Sequence, residues 1–299
     1  MTANATEQLH GEAIGLDARP AIHAAALLAE GQIAAAMAVR AATSQISDAA
    51  DAIADTLRRG GVLRYVAAGS SGLMAAADAL ELGGTFSIPS RQVQILMAGG
   101  IPTTSEMPGD TEDDTASLAD ALSGLSDNDT VIAVSASGTT PYTLEAVRIA
   151  RKASATVIGI ANNAGSALLT SSDHPILLAT PPEVISGSTR MGAGTAQKIA
   201  LNMLSTLAAV RLGHIHDGMM VNLRADNAKL HQRANGIVCR IAGVGPKAAA
   251  TALAAAKGNV KCAVLVAAGA SSVEAARLLL RETGDHLRPA LERLNAIQS

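Results

Sequence analysis

"RYVAAGSSGLMAAADALE" (residues 64–81) decides the fold. A β-branched and aromatic run stops at Gly69, two serines and a second glycine follow, and from Leu73 an alanine-rich helical pattern takes over. Strand, small-residue turn and helix in succession form the unit from which parallel sheets are built. Four further stretches have the same strand texture, "RQVQILMAGG", "DTVIAVSASG", "ATVIGIANN" and "HPILLAT", and each ends in small or turn-forming residues. Helical stretches at 72–82, 112–124 and 140–152 lie between several of them. The pattern predicts an α/β fold, a doubly wound sandwich around a five-stranded parallel sheet. Ligands of such sheets bind beyond the carboxyl ends of the strands.

The flanks read differently. Residues 20–59 have helical spacing in two runs, with Ser47 a candidate N-cap for the second and Gly60-Gly61 a stop. From about residue 189 the chain is helical again, through "TRMGAGTAQKIALNMLSTLAAVRLG" and "RADNAKLHQRANGIVCRIAG" to a tail punctuated by glycines and Ser/Asn caps. That predicts an N-terminal helical segment (1–60) packed on a ligand-binding domain (61–240), followed by a small helical module (241–299).

Composition narrows the function. Nearly half of the 299 residues are hydrophobic, but the aromatics are only Tyr65, Tyr142 and Phe86, so the core must be aliphatic and a base-stacking platform is disfavoured. A net charge of −3 gives no footprint for nucleic acid or an anionic membrane. Cys239 and Cys262 have no metal-ligand spacing and read as free thiols. The polar start "MTANATEQLHGEAIGLD" is unlike a signal peptide, and the apolar run near 260–280 is broken by Glu274 and Arg277. The expectation is a soluble cytoplasmic protein without a membrane span. The seven histidines carry no H-E-x-x-H pattern, so no metal is expected.

Four stretches carry candidate chemistry. Gly69-Ser70-Ser71-Gly72 offers backbone N–H groups at a helix start and two hydroxyls, a combination that suits a phosphate or simply makes a tight turn. It lacks the dinucleotide fingerprint and the P-loop lysine. Ser135-Ala136-Ser137-Gly138-Thr139-Thr140 repeats the arrangement at the next such position. "PGDTEDDTASL" (108–118) gathers Asp110, Glu112, Asp113 and Asp114, where acids at a helix start would be favoured by the dipole alone. Glu81 is likewise either a functional acid or a solvated helix-end carboxylate. "PPEVISGSTRMGAGTAQK" (181–198) sets Glu183, Ser188, Thr189, Arg190 and Lys198 around a glycine-rich start to a long helix, whose small residues admit close approach by a ligand or another helix. Asn227, Lys229 and His231 read as a solvated polar face.

In order and spacing, "AAGSSG", "ELGGTF", "MAGG", "GDTEDD", "SASGTTPY", "EVISGSTRMGAGTAQKIALNMLST" and "DNAKLHQRA" resemble the N-acetylmuramic acid 6-phosphate etherase family, over nearly the whole chain. The resemblance implies the sugar isomerase (SIS) fold, here a three-layer sandwich ending in a ubiquitin-associated-like (UBA-like) three-helix module. It also implies a cofactor-free lyase that removes D-lactate from the C3 ether of the sugar phosphate by elimination and hydration, in cell-wall amino-sugar recycling. The family's two catalytic glutamates fall on Glu81 and Glu112. Glu81 would protonate the leaving group and activate water, and Glu112 would take the C2 proton. Ser70, Ser71, Ser135 and Ser137, with the adjoining N–H groups, would hold the phosphate, and Gly72 and Thr139 would bind substrate beside them. Glu183, Ser188 and Lys198 would line the pocket, in a homodimer with its active site near the subunit interface.

The sequence departs from the family at several places. Arginines usual after "SSG" and in "ASGRTPY" are Leu73 and Thr139, and "TE-x-RN" reads Thr6-Glu7-Gln8-Leu9-His10. "PPTF" is Gly83-Gly84-Thr85-Phe86, and the aspartate of "NLMVD" is Asn222. Three cations are lost against a substrate with two anionic groups. Arg64, Arg91 or Arg190 could compensate. Otherwise the chain is an SIS isomerase or a lyase for another sugar, with Glu183 as base, or a non-catalytic sugar-phosphate sensor.

Overall fold

The computed structural model describes residues 5–298. A short helical turn at Ala5–Glu7 leads to α1 (Ala21–Ala38) and α2 (Thr43–Arg58), joined by a 3₁₀ turn over Val39–Ala42. The chain passes from one helix to the other without an extended break, so α2 starts ahead of Ser47, which lies inside it and caps nothing. Its buried stripe, Ile46, Ala49, Ala50, Ile53 and Ala54, follows helical spacing. α1 is apolar on all sides, yet only Leu27 and Ala35 are buried in it, while Ile22, Ile33 and Met37 stay exposed. Together the two helices form a 38-residue stretch, long and apolar enough to cross a membrane.

Next come β1 (Leu63–Ala67), α3 (Gly69–Phe86), β2 (Val93–Met97), α4 (Leu118–Ala121), β3 (Thr130–Ser135), α5 (Pro141–Lys152), β4 (Thr156–Ala161), α6 (Ala167–Thr170), β5 (His174–Leu177) and α7 (Gly192–Arg211). The five strands form one parallel sheet in the order β2-β1-β3-β4-β5. All five lie where the sequence places them. β1 and β3 are buried along their whole length, which is why they read as mostly apolar runs without strict alternation, Arg64 being the one charge in them. Ala67 pairs with Val134, so the chains leaving β1 and β3 emerge side by side.

One expected helix is mostly absent. Of 112–124, only the four residues of α4 are helical. Asp110 sits at φ 52°, and the Asp114 side chain accepts the Ala116 N–H at 3.0 Å, a local bond that replaces the helical one. The acids here belong to a loop, not to a helix start.

The chain packs as two units. The first runs to Leu80 and resumes over Ser90–Ser205; the second comprises Glu81–Pro89 and the chain from Thr206. α3 and α7 begin in the first and end in the second. The second unit holds a hairpin of β6 (Ile215–His216) and β7 (Met219–Met220), turned by Asp217 and Gly218, both at positive φ. After it come α8 (Ala228–Ala242), α9 (Pro246–Ala255), α10 (Val260–Ala267), α11 (Val273–Glu282) and α12 (Leu287–Gln298). Asn227, Asn259 and Ser272 cap α8, α10 and α11 through their side chains. One aliphatic core runs from Val221 through Val238, Val264 and Leu280 to Leu294, so α8 shares it with the tail beyond residue 240. Lys261 is buried there, paired with Asp285 and donating to the carbonyls of Gly213 and Asp285. Within this unit Asn222 donates to the Phe86 carbonyl and its own carbonyl accepts from Ser87, a tie that an amide supplies in place of the family's aspartate.

Candidate active site

The turns that leave β1 and β3 form the centre of the site. α3 starts three residues earlier than its periodicity suggests, so Ser70 and Ser71 occupy its first turn. Gly72 N–H already bonds the Ala68 carbonyl at 3.0 Å, whereas the amides of Gly69, Ser70 and Ser71 have no partner among the described residues. Three free donors at a helix N-terminus make an anion cradle. Gly72 keeps the turn thin; a Cβ there would come within 2.8 Å of Met97.

The second turn is braced by its own hydroxyls. Ser135 is buried, and its Oγ accepts the Gly138 N–H at 3.0 Å and lies 2.8 Å from Thr140 Oγ1. Ser137 Oγ accepts the backbone N–H of Thr139 at 3.1 Å and its hydroxyl at 3.0 Å. Gly138 has φ +70°, and a Cβ on it would strike Ser166 Oγ at 2.2 Å. Ser135 therefore shapes the turn, and Ser137 and Thr139 form its more open side.

Glu112 comes to the first turn from the loop. Its carbonyl accepts the Tyr142 N–H at 3.0 Å, pinning the backbone to the start of α5, and its exposed carboxylate reaches back over Gly69. A Cβ on Gly69 would lie 2.9 Å from Glu112 Oε1, at a residue whose φ is already +55°. Glycine at 69 is thus required both by conformation and by the carboxylate above it.

Glu183 is committed elsewhere. It is buried, and its two oxygens accept the Gly192 N–H at 2.9 Å and the Ala193 N–H at 2.8 Å, capping α7. Ser188 lies in the loop just before that helix, its N–H bonded to the Ile185 carbonyl, and Lys198 is exposed two turns along it. Beneath, Asp78 of α3 accepts from Tyr65 Oη at 3.0 Å, Asn202 Nδ2 at 2.7 Å and Ser205 Oγ at 2.8 Å, joining α3 to α7. Burial pushes its carboxyl upward against those three hydrogen bonds and the nearby Lys198 charge.

Glu81 is placed differently from the rest. It belongs to the second unit, in the later part of α3. Two of the compensating cations are at the wrong end of the sheet. Arg64 enters β1 buried, paired with Asp129 at 2.9 Å and donating to Gln94, and Arg91 precedes β2. Both stand at the amino ends of parallel strands, away from the turns. Arg190, exposed just ahead of α7, is at the right end. Leu73 is 37% exposed. Thr6, the first residue of the stretch matched to TE-x-RN, and Asn163, which no motif indicates, brace the second turn. Among the described residues no three His, Cys, Asp or Glu side chains form a metal set.

Comparison with known proteins agrees with this architecture. The SIS domain family matches residues 101–210. The N-acetylmuramic acid 6-phosphate etherase of Deinococcus radiodurans is 44% identical over 96% of this chain and 94% of its own. That of Streptomyces avermitilis is 41% identical over 96% and 93%. A solved structure from Bacteroides fragilis, described as a candidate phosphosugar isomerase involved in capsule formation, superposes with a TM-score of 0.52 at 20% identity, covering 72% of this chain and 97% of its own. It bears on the fold alone.

Proposed function

The chain belongs to the N-acetylmuramic acid 6-phosphate etherase family, and we propose that it is a lyase cleaving the C3 lactyl ether of that sugar phosphate to N-acetylglucosamine 6-phosphate and D-lactate. The observation that carries the reading is the Glu112 carboxylate held over an anion cradle made of the free α3 amides, Ser70, Ser71 and the Ser137–Thr139 edge. The phosphate rests on the cradle. In the ring-opened aldehyde the carbonyl acidifies the C2 proton, which Glu112 removes as base. The C2–C3 double bond forms as the C3–O bond breaks, and a second carboxyl group, Glu81, gives its proton to the departing lactyl oxygen. Water then adds at C3, losing a proton to Glu81, while C2 regains one from Glu112.

Glu81 acts in trans in this account. The cradle and Glu112 belong to the first unit, whereas Glu81 falls in the second. We assign the acid to the partner's Glu81 in a homodimer. A second copy also accounts for α1, whose Ile22, Ile33 and Met37 are uncovered in one chain. The homodimer is cytoplasmic, where amino sugars recovered from peptidoglycan are catabolised.

Glu183 is a positioning residue here. Both of its oxygens already accept α7 amides, a capping role that holds the start of that helix and weighs against the isomerase reading. Incubation with N-acetylmuramic acid 6-phosphate in deuterated water, followed by a D-lactate assay, tests the proposal. The expected result is stoichiometric D-lactate and deuterium at C2 of the product. Turnover to a ketose without lactate would replace it with the isomerase reading.

A further inference from the structure

The segment before α1 is tied into the site by contacts that nothing in the reaction scheme uses. Thr6 is buried, although it lies near the start of the chain. Its Oγ1 accepts from Asn163 Nδ2 at 3.0 Å, and its backbone N–H donates to Asn163 Oδ1 at 3.4 Å, a contact spanning 157 residues. The same Asn163 amide donates at 3.3 Å to the carbonyls of Ala136 and Ser137, in the middle of the hydroxyl turn. On its other side the segment meets the loop ahead of α7. Gly187 N–H donates to the Thr6 carbonyl at 3.3 Å, and Ser186 Oγ donates to the Glu7 carbonyl at 3.3 Å.

Residues 5–7 therefore bridge two loops that leave different strands, the Ser135–Thr140 turn after β3 and the 183–190 loop after β5. We propose that Thr6 is a positioning residue for sugar-phosphate binding. Through Asn163 it fixes the carbonyls of Ala136 and Ser137, and with them the direction of the Ser137 hydroxyl. Through its own carbonyl it holds Gly187 and the neighbouring Ser188 at the facing wall. A turn fixed before the phosphate arrives binds it without a further ordering cost.

The proposal rests on the assignment of the cradle to the substrate's phosphate, so its test separates the two. Thr6→Val keeps the shape and removes the hydroxyl acceptor. The expected result is a rise of about three- to tenfold in KM for N-acetylmuramic acid 6-phosphate, and in the Kd of the product N-acetylglucosamine 6-phosphate, the size of one net hydrogen bond. kcat should stay near wild type and the melting temperature should fall by only a few degrees, and Thr6→Ser should restore both constants. Asn163→Ala should raise KM at least as far, and adding Thr6→Val to it should change nothing more, because one connection has already been cut. Constants for Thr6→Val within twofold of wild type would overturn the proposal, as would a Thr6→Ser variant that fails to rescue. Failure of the wild-type protein to release lactate, with product binding still weakened by Thr6→Val, would overturn the etherase reading and leave this one standing.

Discussion

Gly69→Ala isolates the contact on which the proposed base depends. The residue has φ +55°, where an L side chain costs about 1–2 kcal/mol. The new Cβ would also sit 2.9 Å from Glu112 Oε1, closer than van der Waals contact allows. Because the obstacle is the end of a flexible, exposed side chain, the carboxylate moves and the backbone stays. The stability loss is thus the conformational one alone, a fall of a few degrees in melting temperature. The catalytic loss is larger. A base displaced by the better part of an ångström costs about 10–100-fold in rate. Lactate release under saturating substrate should fall by that factor, with KM changed far less. In a Glu112→Gln background the same substitution should lower the melting temperature equally but leave the residual rate unchanged. A Gly69→Ala enzyme with wild-type kcat, or one whose loss is undiminished in that background, would refute the placement of Glu112 over the cradle as the source of its role.

Three other outcomes follow from the same geometry. Glu183→Ala leaves two amides at the start of α7 without acceptors in a buried place, and should cost about 2–4 kcal/mol in chemical denaturation. Leu73→Arg puts a cation on an exposed position one turn into α3, and should lower KM for the doubly anionic substrate by roughly tenfold, the worth of one charge-assisted hydrogen bond, in steady-state assays. The His214 imidazole is pushed down to about 4 by burial, with the Lys261 and His286 charges adding to it. The unfolded chain takes up that proton first, so the stability it confers is complete above about pH 6.5 and is lost as the pH falls toward 4. His214→Gln should flatten that part of a melting-temperature profile against pH.

The sheet was legible because largely buried parallel strands read as short, mostly apolar runs: five of them, each ending in small or turn-forming residues. The N-caps of α10 and α11 could be read from side-chain type, since Asn and Ser satisfy helix-start amides directly, whereas Asn227, read as part of a solvated face, caps α8 by accepting the Leu230 N–H. The same chemistry misled at 112–117, where Asp114 bonds a nearby amide and dissolves the helix that its neighbours' spacing suggests. Ser47 misled in the opposite way, because a helix continued from a 3₁₀ turn needs no cap. Within the candidate site, glycine and serine content marks the two turns, but not which hydroxyl braces the second and which opens from it. That distinction lies in Ser135 being buried and Ser137 not. Arg64 and Arg91 were candidate ligands by charge, yet strand polarity alone sends them to the other end. The stretch matched to TE-x-RN marks Thr6, but its partner Asn163 lies 157 residues away and no pattern links the two.

The division of the two acids between two copies can be measured by subunit complementation. Glu81→Gln and Glu112→Gln proteins, each inactive alone, are mixed, briefly unfolded and refolded together, and assayed for D-lactate. With Glu81 acting in trans, a mixed dimer has one site with both carboxyl groups intact, and a random mixture recovers about a quarter of the wild-type rate. With both acids supplied by the same chain, no site in any dimer is whole, and recovery of no activity would contradict the account.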